Sequence, residues 1–413
     1  MRMTTPAHAD TKEADTARKC EGVARAAETA TVSHGSNGGQ PVYEGLSGVV
    51  ISASAICDVN GERGTLSYRG YDIGELACRA TFEETANLLW HGDLPSRQEL
   101  DTLTARLTAE RELNGAADLI LSALPTHVEP MDALRTAVSS LTCNGTNGQD
   151  PGSMQEDQAI CLVAKFPTIV ARFYRHRHSL PSIAPRPDLS HAANFLYMVQ
   201  GHEPTTLQAQ TMDLAMLLMA EHGFNASTFA ARVTAATLSD MYAAVTSAVG
   251  TLKGPLHGGA NEQAMRMMLE IGDVANVAPY IDSALARKQR IMGFGHRVYR
   301  NAADPRAAYL RASLFDLCAE SGDFHFYELA TTIAEVVEAK KGLHPNVDFY
   351  AAPVLYLLGI PLELFVTVFA ISRVPGWTAH VMEQYANNKL IRPLSTYVGP
   401  ENRVYCPIDD RGH

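Results

Sequence analysis

GLSGVVISASAICDVNGERGTLSYRGYDI, residues 45–73, holds the only persuasive strand and turn signals in the chain. An alternating apolar run leads to NGERG (60–64), whose Asn and Gly residues suit a tight turn, and TLSYRGY then carries the chain back. The stretch reads as a small β element entering the main body, whose character begins near Pro41. Everything after it has helical spacing of apolar residues, so the fold class is all-α with a small N-terminal β element.

TFEETANLLWHGDLP places Thr81 as a cap with Glu84 three residues on, and Pro95 as a stop signal. ADLILSALP, DQAICLVAKFPTIVARFYRHRH, LSHAANFLYMVQG and TTLQAQTMDLAMLLMAEHG each repeat the amphipathic pattern. ASTFAARVTAATLSDMYAAVTSAVGTLKG (226–254) is rich in Ala, Thr and Ser, which permit close helix–helix approach in an interior or at a subunit interface. CNGTNGQDPGSM (143–154) reads as an exposed turn-rich loop. The first forty residues mix acids and bases and lack the apolar stretch of a signal peptide, so they read as a disordered tail.

The chain has 413 residues, 46% hydrophobic and 19% charged, ample for a large core. Its formal net charge of −11 argues against a general affinity for nucleic acid. Seven cysteines, with no C-x-x-C pair, suggest neither a disulfide framework nor a zinc site, and suit a reducing cytoplasm. No apolar run reaches membrane-spanning length.

Four segments combine His, Arg or Asp with Gly or Pro: AEHGFNAST (220–228), KGPLHGGANE (253–262), GFGHRVYRNAADPR (293–306) and LHPNVDFYAA (343–352). ISRVPGWTAH (371–380) and NNKLIRP (387–393) add Arg373 and Arg392. Taken singly, each has an ordinary explanation. A histidine at a helix end is usually a satisfied cap or core residue, and an Asp after Asn-Val is usually a turn or cap. Gly293 and Gly295 do not make a dinucleotide fingerprint, because Val298 stands where the third glycine belongs. Several such loops in one acidic helical protein point to a site presented at helix ends. His257 precedes a helix that Asn261 would cap, with Glu262 in its first turn. The positive end of that helix would keep the imidazole neutral and able to donate a hydrogen bond.

PLHGGANE, MGFGHRVYR with DPR, and PNVDFYAA resemble the three active-site signatures of the citrate synthase family, in order. GVV…LSYRGYDI, AEHGFNAST, SRVPGW and EQYANNKLIRPLSTYVGP are similar to the same family, so the resemblance runs from about Gly45 nearly to the C-terminus. It implies condensation of an acyl-CoA with oxaloacetate, followed by thioester hydrolysis, with no metal and no tightly bound cofactor. By resemblance Asp348 is the base, His257 steadies the enolate oxygen, and His296 polarises and protonates the oxaloacetate carbonyl. Arg306, Arg373 and Arg392 are the expected clamps on the dianion, Arg392 from the neighbouring subunit of a homodimer, with His222 adding a hydrogen bond. Arg300 would face a CoA phosphate, and the backbone of Ile291, Met292, Gly293, Phe294 and Gly295 the adenine. The implied domains are a large helical one (41–257 and 355–413) and a small one (258–354), with Gly258 and Gly259 near the hinge.

Two departures matter. NAA inserts one residue between His296 and Arg306, which would displace Arg306 unless the loop absorbs it. Pro375 lies where the family starts or continues a helix, so Arg373 is expected close to a helix start. Acetyl-CoA and propionyl-CoA remain alternatives, giving citrate or 2-methylcitrate. The lean is toward citrate; a longer acyl chain or a catalytically silent homologue is the weaker reading. A metallohydrolase would need H-E-x-x-H spacing, which is absent.

Overall fold

The computed structural model describes residues 42–46, 48–113, 115–141, 154–296, 298–299 and 302–411, together with the backbone of 32–33 and 151–153. Strand β1 (Val32–Ser33) pairs antiparallel with β2 (Val42–Tyr43); the rest of the expected tail lies outside the described residues. The β element forms where the turn chemistry put it. Strand β3 (Cys57–Asn60) pairs antiparallel with β4 (Thr65–Tyr68), Cys57 opposite Tyr68, and β4 pairs with β5 (Tyr71–Asp72). Asn60 Oδ1 accepts the backbone N–H groups of Glu62 and Arg63 at 3.1 and 3.0 Å, closing the turn. Leu66 and Tyr68 alternate inward, and the Tyr68 hydroxyl reaches the carbonyl of Glu221 at 2.9 Å.

Sixteen α-helices follow among the described residues. The first five are α1 (Ile73–Arg79), α2 (Phe82–His91), α3 (Arg97–Glu110), α4 (Gly115–Ala123) and α5 (Pro130–Ser139). Then come α6 (Pro151–Arg177), α7 (His191–Gln200), α8 (Thr206–Met219), α9 (Ala226–Ala235) and α10 (Met241–Leu252). The last six are α11 (Ala260–Ile271), α12 (Val277–Ala286), α13 (Ala307–Ser321), α14 (His325–Lys341), α15 (Val347–Leu357) and α16 (Phe365–Ala386). Capping boxes open α2, α3 and α8, at Thr81/Glu84, Ser96/Glu99 and Thr205/Gln208. Helix α2 stops at Gly92, in the left-handed region, before Pro95 is reached. The Ala/Thr/Ser-rich stretch folds as two helices, α9 and α10, packed on each other around an Asp240 cap. Of the expected loop at 143–154, residues 143–150 lie outside the described ones and α6 already begins at Pro151. Pro suits a first helical position because its missing N–H has no partner there.

Helix α16 is the central element, packing against α2, α6, α8, α9 and α10. Pro375 lies in its middle, so the expectation that Arg373 sits near a helix start is corrected: Arg373 is in mid-helix. An interior proline costs about 3 kcal/mol. The helix survives because nearly every side chain from Phe365 to Val381 is buried, Trp377 and Phe365 completely. Helices α11 to α15 pack chiefly among themselves, with α15 against α11, α13 and α14. By contacts the chain divides into a unit of Met1–Ala53 with Arg392–His413 and a unit of Ser54–Ile391. No helix among the described residues is long and apolar enough to cross a membrane.

Candidate active site

The Ser54–Ile391 unit gathers the histidines, two arginines and the aspartate singled out in the sequence. Arg306 and Arg373 are each 2% exposed, and their charges bear on His222, His257, His296 and Asp348. Burying two guanidinium groups side by side is costly unless anions compensate. Asp304 supplies the first anion. Its Oδ1 accepts from Arg306 Nε at 2.9 Å and its Oδ2 from Arg306 Nη2 at 2.8 Å, a bidentate pair. Burial opposes charge on both partners, yet each outweighs it for the other: Asp304 is held below the ordinary carboxylate range and Arg306 above its own. In the stretch that carries the extra residue, Ala302 and Ala303 lie against Gly64, which has no side chain to oppose them.

Asp304 Oδ2 also accepts the N–H of Val347 at 3.0 Å, at the start of α15. One carboxylate thus ties Arg306 to the helix that carries Asp348. A second tie lies beside it. Asn346 N donates to Gly293 O at 2.9 Å, Gly295 N to His344 O at 3.2 Å, and Asn346 Nδ2 to Gly295 O at 3.0 Å. Gly293 has φ +83, and a Cβ there would lie 2.7 Å from Phe349 Cβ, so only glycine allows the approach. The pairing uses the backbone of Gly293 and Gly295, with a bridge between Phe294 and Pro345. Ile291 and Met292 instead line a cavity with Gln263, Arg266, Tyr280 and Arg290. Arg300 lies outside the described residues.

Asp348 is the second residue of α15, and its N–H is taken by Asn346 Oδ1 at 3.0 Å. Burial pushes its carboxyl up to about 6, against the pull of Arg306. Its carboxylate has no hydrogen-bond donor or ion-pair partner among the described residues. That leaves a base poised nearer neutrality, with its lone pairs unspent.

The tautomers of two histidines follow from backbone donors. Ser227 N–H donates to His257 Nε2 at 3.3 Å, so that nitrogen carries the lone pair and Nδ1 the proton. Ser227 Oγ, 2.9 Å from His257 Nε2, accepts from Trp377 Nε1 at 3.1 Å, which fixes this support to α16. Val298 N–H and Tyr299 N–H donate to His296 Nδ1 at 3.1 and 3.4 Å, so the proton of His296 sits on Nε2. Burial lowers both imidazoles to about 4, helped by Arg373 for His257 and by Arg306 for His296. His257 is neutral, as the sequence suggested, but burial rather than the helix end leads. Asn261 does not cap α11: Gly259 is the cap residue, and Asn261 is buried within the first turn.

His222 packs edge-on to His296 with ring centroids 5.0 Å apart, its Nε2 3.2 Å from the Tyr299 hydroxyl. Burial, then Arg306, keeps it well below the ordinary histidine range. Arg373 donates from Nε to Met219 O at 2.7 Å and stacks over Phe369, which leaves the outer guanidinium nitrogens unpaired among the described residues. Arg392 is exposed on irregular backbone in the other unit.

Asp304, Tyr299, Ser227 and Glu221 were missed in the sequence. Asp304 had a signal, since it stands inside the DPR quoted for Arg306. Ser227 reads as filler in an Ala/Thr-rich helix, and Tyr299 as a core aromatic. Glu221 is wholly buried and accepts from His380 Nε2 at 3.0 Å, in contact no local pattern announces. No cluster of three or more metal-ligating side chains occurs among the described residues.

Residues 45–394 match the family model described as citrate synthase, C-terminal domain. The chain is 44% identical over 374 residues to a citrate synthase of Haloferax volcanii, covering 89% of this chain and 98% of that one. It is also 44% identical over 363 residues to a 2-methylcitrate synthase of Mycobacterium tuberculosis, covering 88% and 92%. A solved ternary complex of Thermoplasma acidophilum citrate synthase with carboxymethyl coenzyme A and oxaloacetate superposes with a TM-score of 0.83 at 34% identity, covering 90% of this chain and 99% of that one. A match over most of the length, with the same helical fold, has one meaning: the chain belongs to the citrate synthase family.

Proposed function

We propose that the protein condenses acetyl-CoA with oxaloacetate and water to give citrate and free CoA. The observation that carries this reading is the grouping of two neutral histidines and Asp348 around two buried arginines, with the histidine N–H groups and the carboxylate unpartnered among the described residues. Asp348 takes a proton from the acyl α-carbon. A carboxylate is weaker than the carbanion by roughly ten pKa units, at about 1.4 kcal/mol each, so the base needs help. His257 Nδ1–H donates to the thioester oxygen as negative charge develops there. The enolate carbon then attacks the ketone carbon, and the ketone oxygen takes the proton from His296 Nε2. Water hydrolyses the thioester and CoA leaves as the thiol.

Arg373 and Arg306 bind the oxaloacetate carboxylates; Arg373 offers the freer fork, and Arg306 is oriented by Asp304. His222, next to His296, adds a hydrogen bond. Arg300 and the backbone from Ile291 to Gly295 hold CoA. The smaller domain, 258–354, closes on the larger about Gly258 and Gly259 and excludes water while the enolate exists. The protein works in the cytoplasm as a homodimer in which Arg392 enters the partner's site. Supporting that association, the extended segment after Arg392 leaves Leu394, Val398, Val404 and Tyr405 at least 78% exposed, surface that a second copy would cover.

Propionyl-CoA is the second reading, favoured by equal identity to a citrate and a 2-methylcitrate synthase. One methylene in an apolar pocket is worth only about 1–3 kcal/mol. Thiol release with oxaloacetate, comparing kcat/KM for the two thioesters, tests both: an acetyl preference supports the first, a propionyl preference the second. No release with either refutes both.

A further inference from the structure

The β3–β4 turn lies against the loop that carries His296. A Cβ on Gly61 would overlap the carbonyl oxygen of Val298, lie 2.7 Å from its carbonyl carbon and 2.9 Å from its Cγ1. On the same turn, a Cβ on Gly64 would lie 2.9 Å from Ala302 Cβ. Gly64 has φ +65 and would be glycine for its backbone alone, but Gly61 is not in the left-handed region. Its lack of a side chain therefore answers to Val298. The residue it touches is the one whose N–H donates to His296 Nδ1 at 3.1 Å. The hairpin is a stiff support: Asn60 closes its turn, and buried Tyr68 roots its base through the Glu221 carbonyl.

We propose that Gly61 is a positioning residue for His296: it seats the Val298 carbonyl, and with it the backbone of Val298 and Tyr299 whose N–H groups hold Nδ1 as acceptor and turn the Nε2 proton toward substrate. The inference rests on the role given to His296 above. Hairpin and loop are far apart in sequence, and neither is explained by the other's local pattern. The hairpin thereby becomes part of the catalytic apparatus without touching substrate.

The test is Gly61→Ala in the full chain, read by kcat, by oxaloacetate affinity without thioester, and by ¹⁵N-histidine NMR with His296 assigned from His296→Gln. Gly61 lies outside the left-handed region, so the variant acts chiefly through the contact with Val298. We expect kcat to fall about tenfold or more, the scale of general-acid catalysis. Oxaloacetate affinity should stay within about threefold, because Arg306 and Arg373 are anchored by Asp304 and Met219 O. In the wild type His296 should show an unprotonated Nδ1 and a protonated Nε2, and Gly61→Ala should lose that single tautomer. An unchanged kcat overturns the proposal, as does an affinity loss matching the kcat loss. A wild-type Nδ1–H tautomer overturns it whether or not the variant folds. If the wild type releases no thiol, the proposed activity fails instead, and the tautomer comparison still decides what Gly61 does.

Discussion

Asp348 and the two histidines set different limits on pH. Asp348 titrates near 6, whereas His257 and His296 are neutral above about 4. The acid limb of the kcat profile should therefore fall as pH drops through about 6 and belong to the carboxylate. Asp348→Asn should lower kcat by about 10²–10⁴-fold and leave oxaloacetate affinity nearly intact. Near-wild-type turnover would remove Asp348 as the base. Arg373→Leu should do the opposite, weakening oxaloacetate about 30-fold or more through loss of a buried charge pair; an unchanged oxaloacetate dependence contradicts the clamp. The types His, Asp and Arg were legible in their motifs. Which nitrogen carries each proton was not, because Ser227 and Val298 donate their bonds only once the chain is folded.

At the scale of the element, α16 shows tertiary packing overruling local preference. Pro375 argues for a helix boundary, yet the helix runs from Phe365 to Ala386. The next residue explains part of the arrangement. A Cβ on Gly376 would overlap Ala220 O and Glu221 Oε2, so this turn of α16 touches the end of α8 directly. Alanine is the better helix former by about 1 kcal/mol. Gly376→Ala should nonetheless destabilise the protein by about 1–3 kcal/mol, since the overlap is with backbone that cannot yield. A raised Tm would show that propensity decides instead. The capping boxes behave otherwise: Thr81 with Glu84 is local chemistry, visible in the sequence and present in the structure.

For the whole molecule, buried neutral histidines make acid a threat. His191, His222, His257 and His296 all have folded values below the ordinary 6.5, so the unfolded chain takes up protons that the folded chain refuses. Stability then falls as pH drops from about 6.5 toward 4. Asp213 and Asp348, both raised by burial, work in the opposite direction as pH falls, Asp348 from about 6 downward. Four groups against two predict a Tm lower at pH 4.5 than at pH 7; an equal or higher Tm contradicts that balance. The proposed homodimer, with Arg392 entering the partner's site, predicts complementation. Mixing inactive Asp348→Asn and Arg392→Leu subunits should restore about a quarter of the sites, because half the dimers are mixed and each mixed dimer has one intact site. No recovery would place Arg392 in its own subunit's site, or in none.

The division between what was readable and what was not follows the range of the interactions. Turns, caps and amphipathic periodicity depend on residues within a few positions of each other, so the β3–β4 hairpin, the Thr81 cap and the helical class were determined by the sequence itself. The motifs of the candidate site were equally plain as motifs. Tertiary structure alone decided that Asp304 would join Arg306 to the Asp348 helix, that Pro375 would be carried inside α16, and that Gly61 would meet Val298. Each of those rests on burial or contact between distant segments, where the energy of close packing outweighs anything a local pattern encodes.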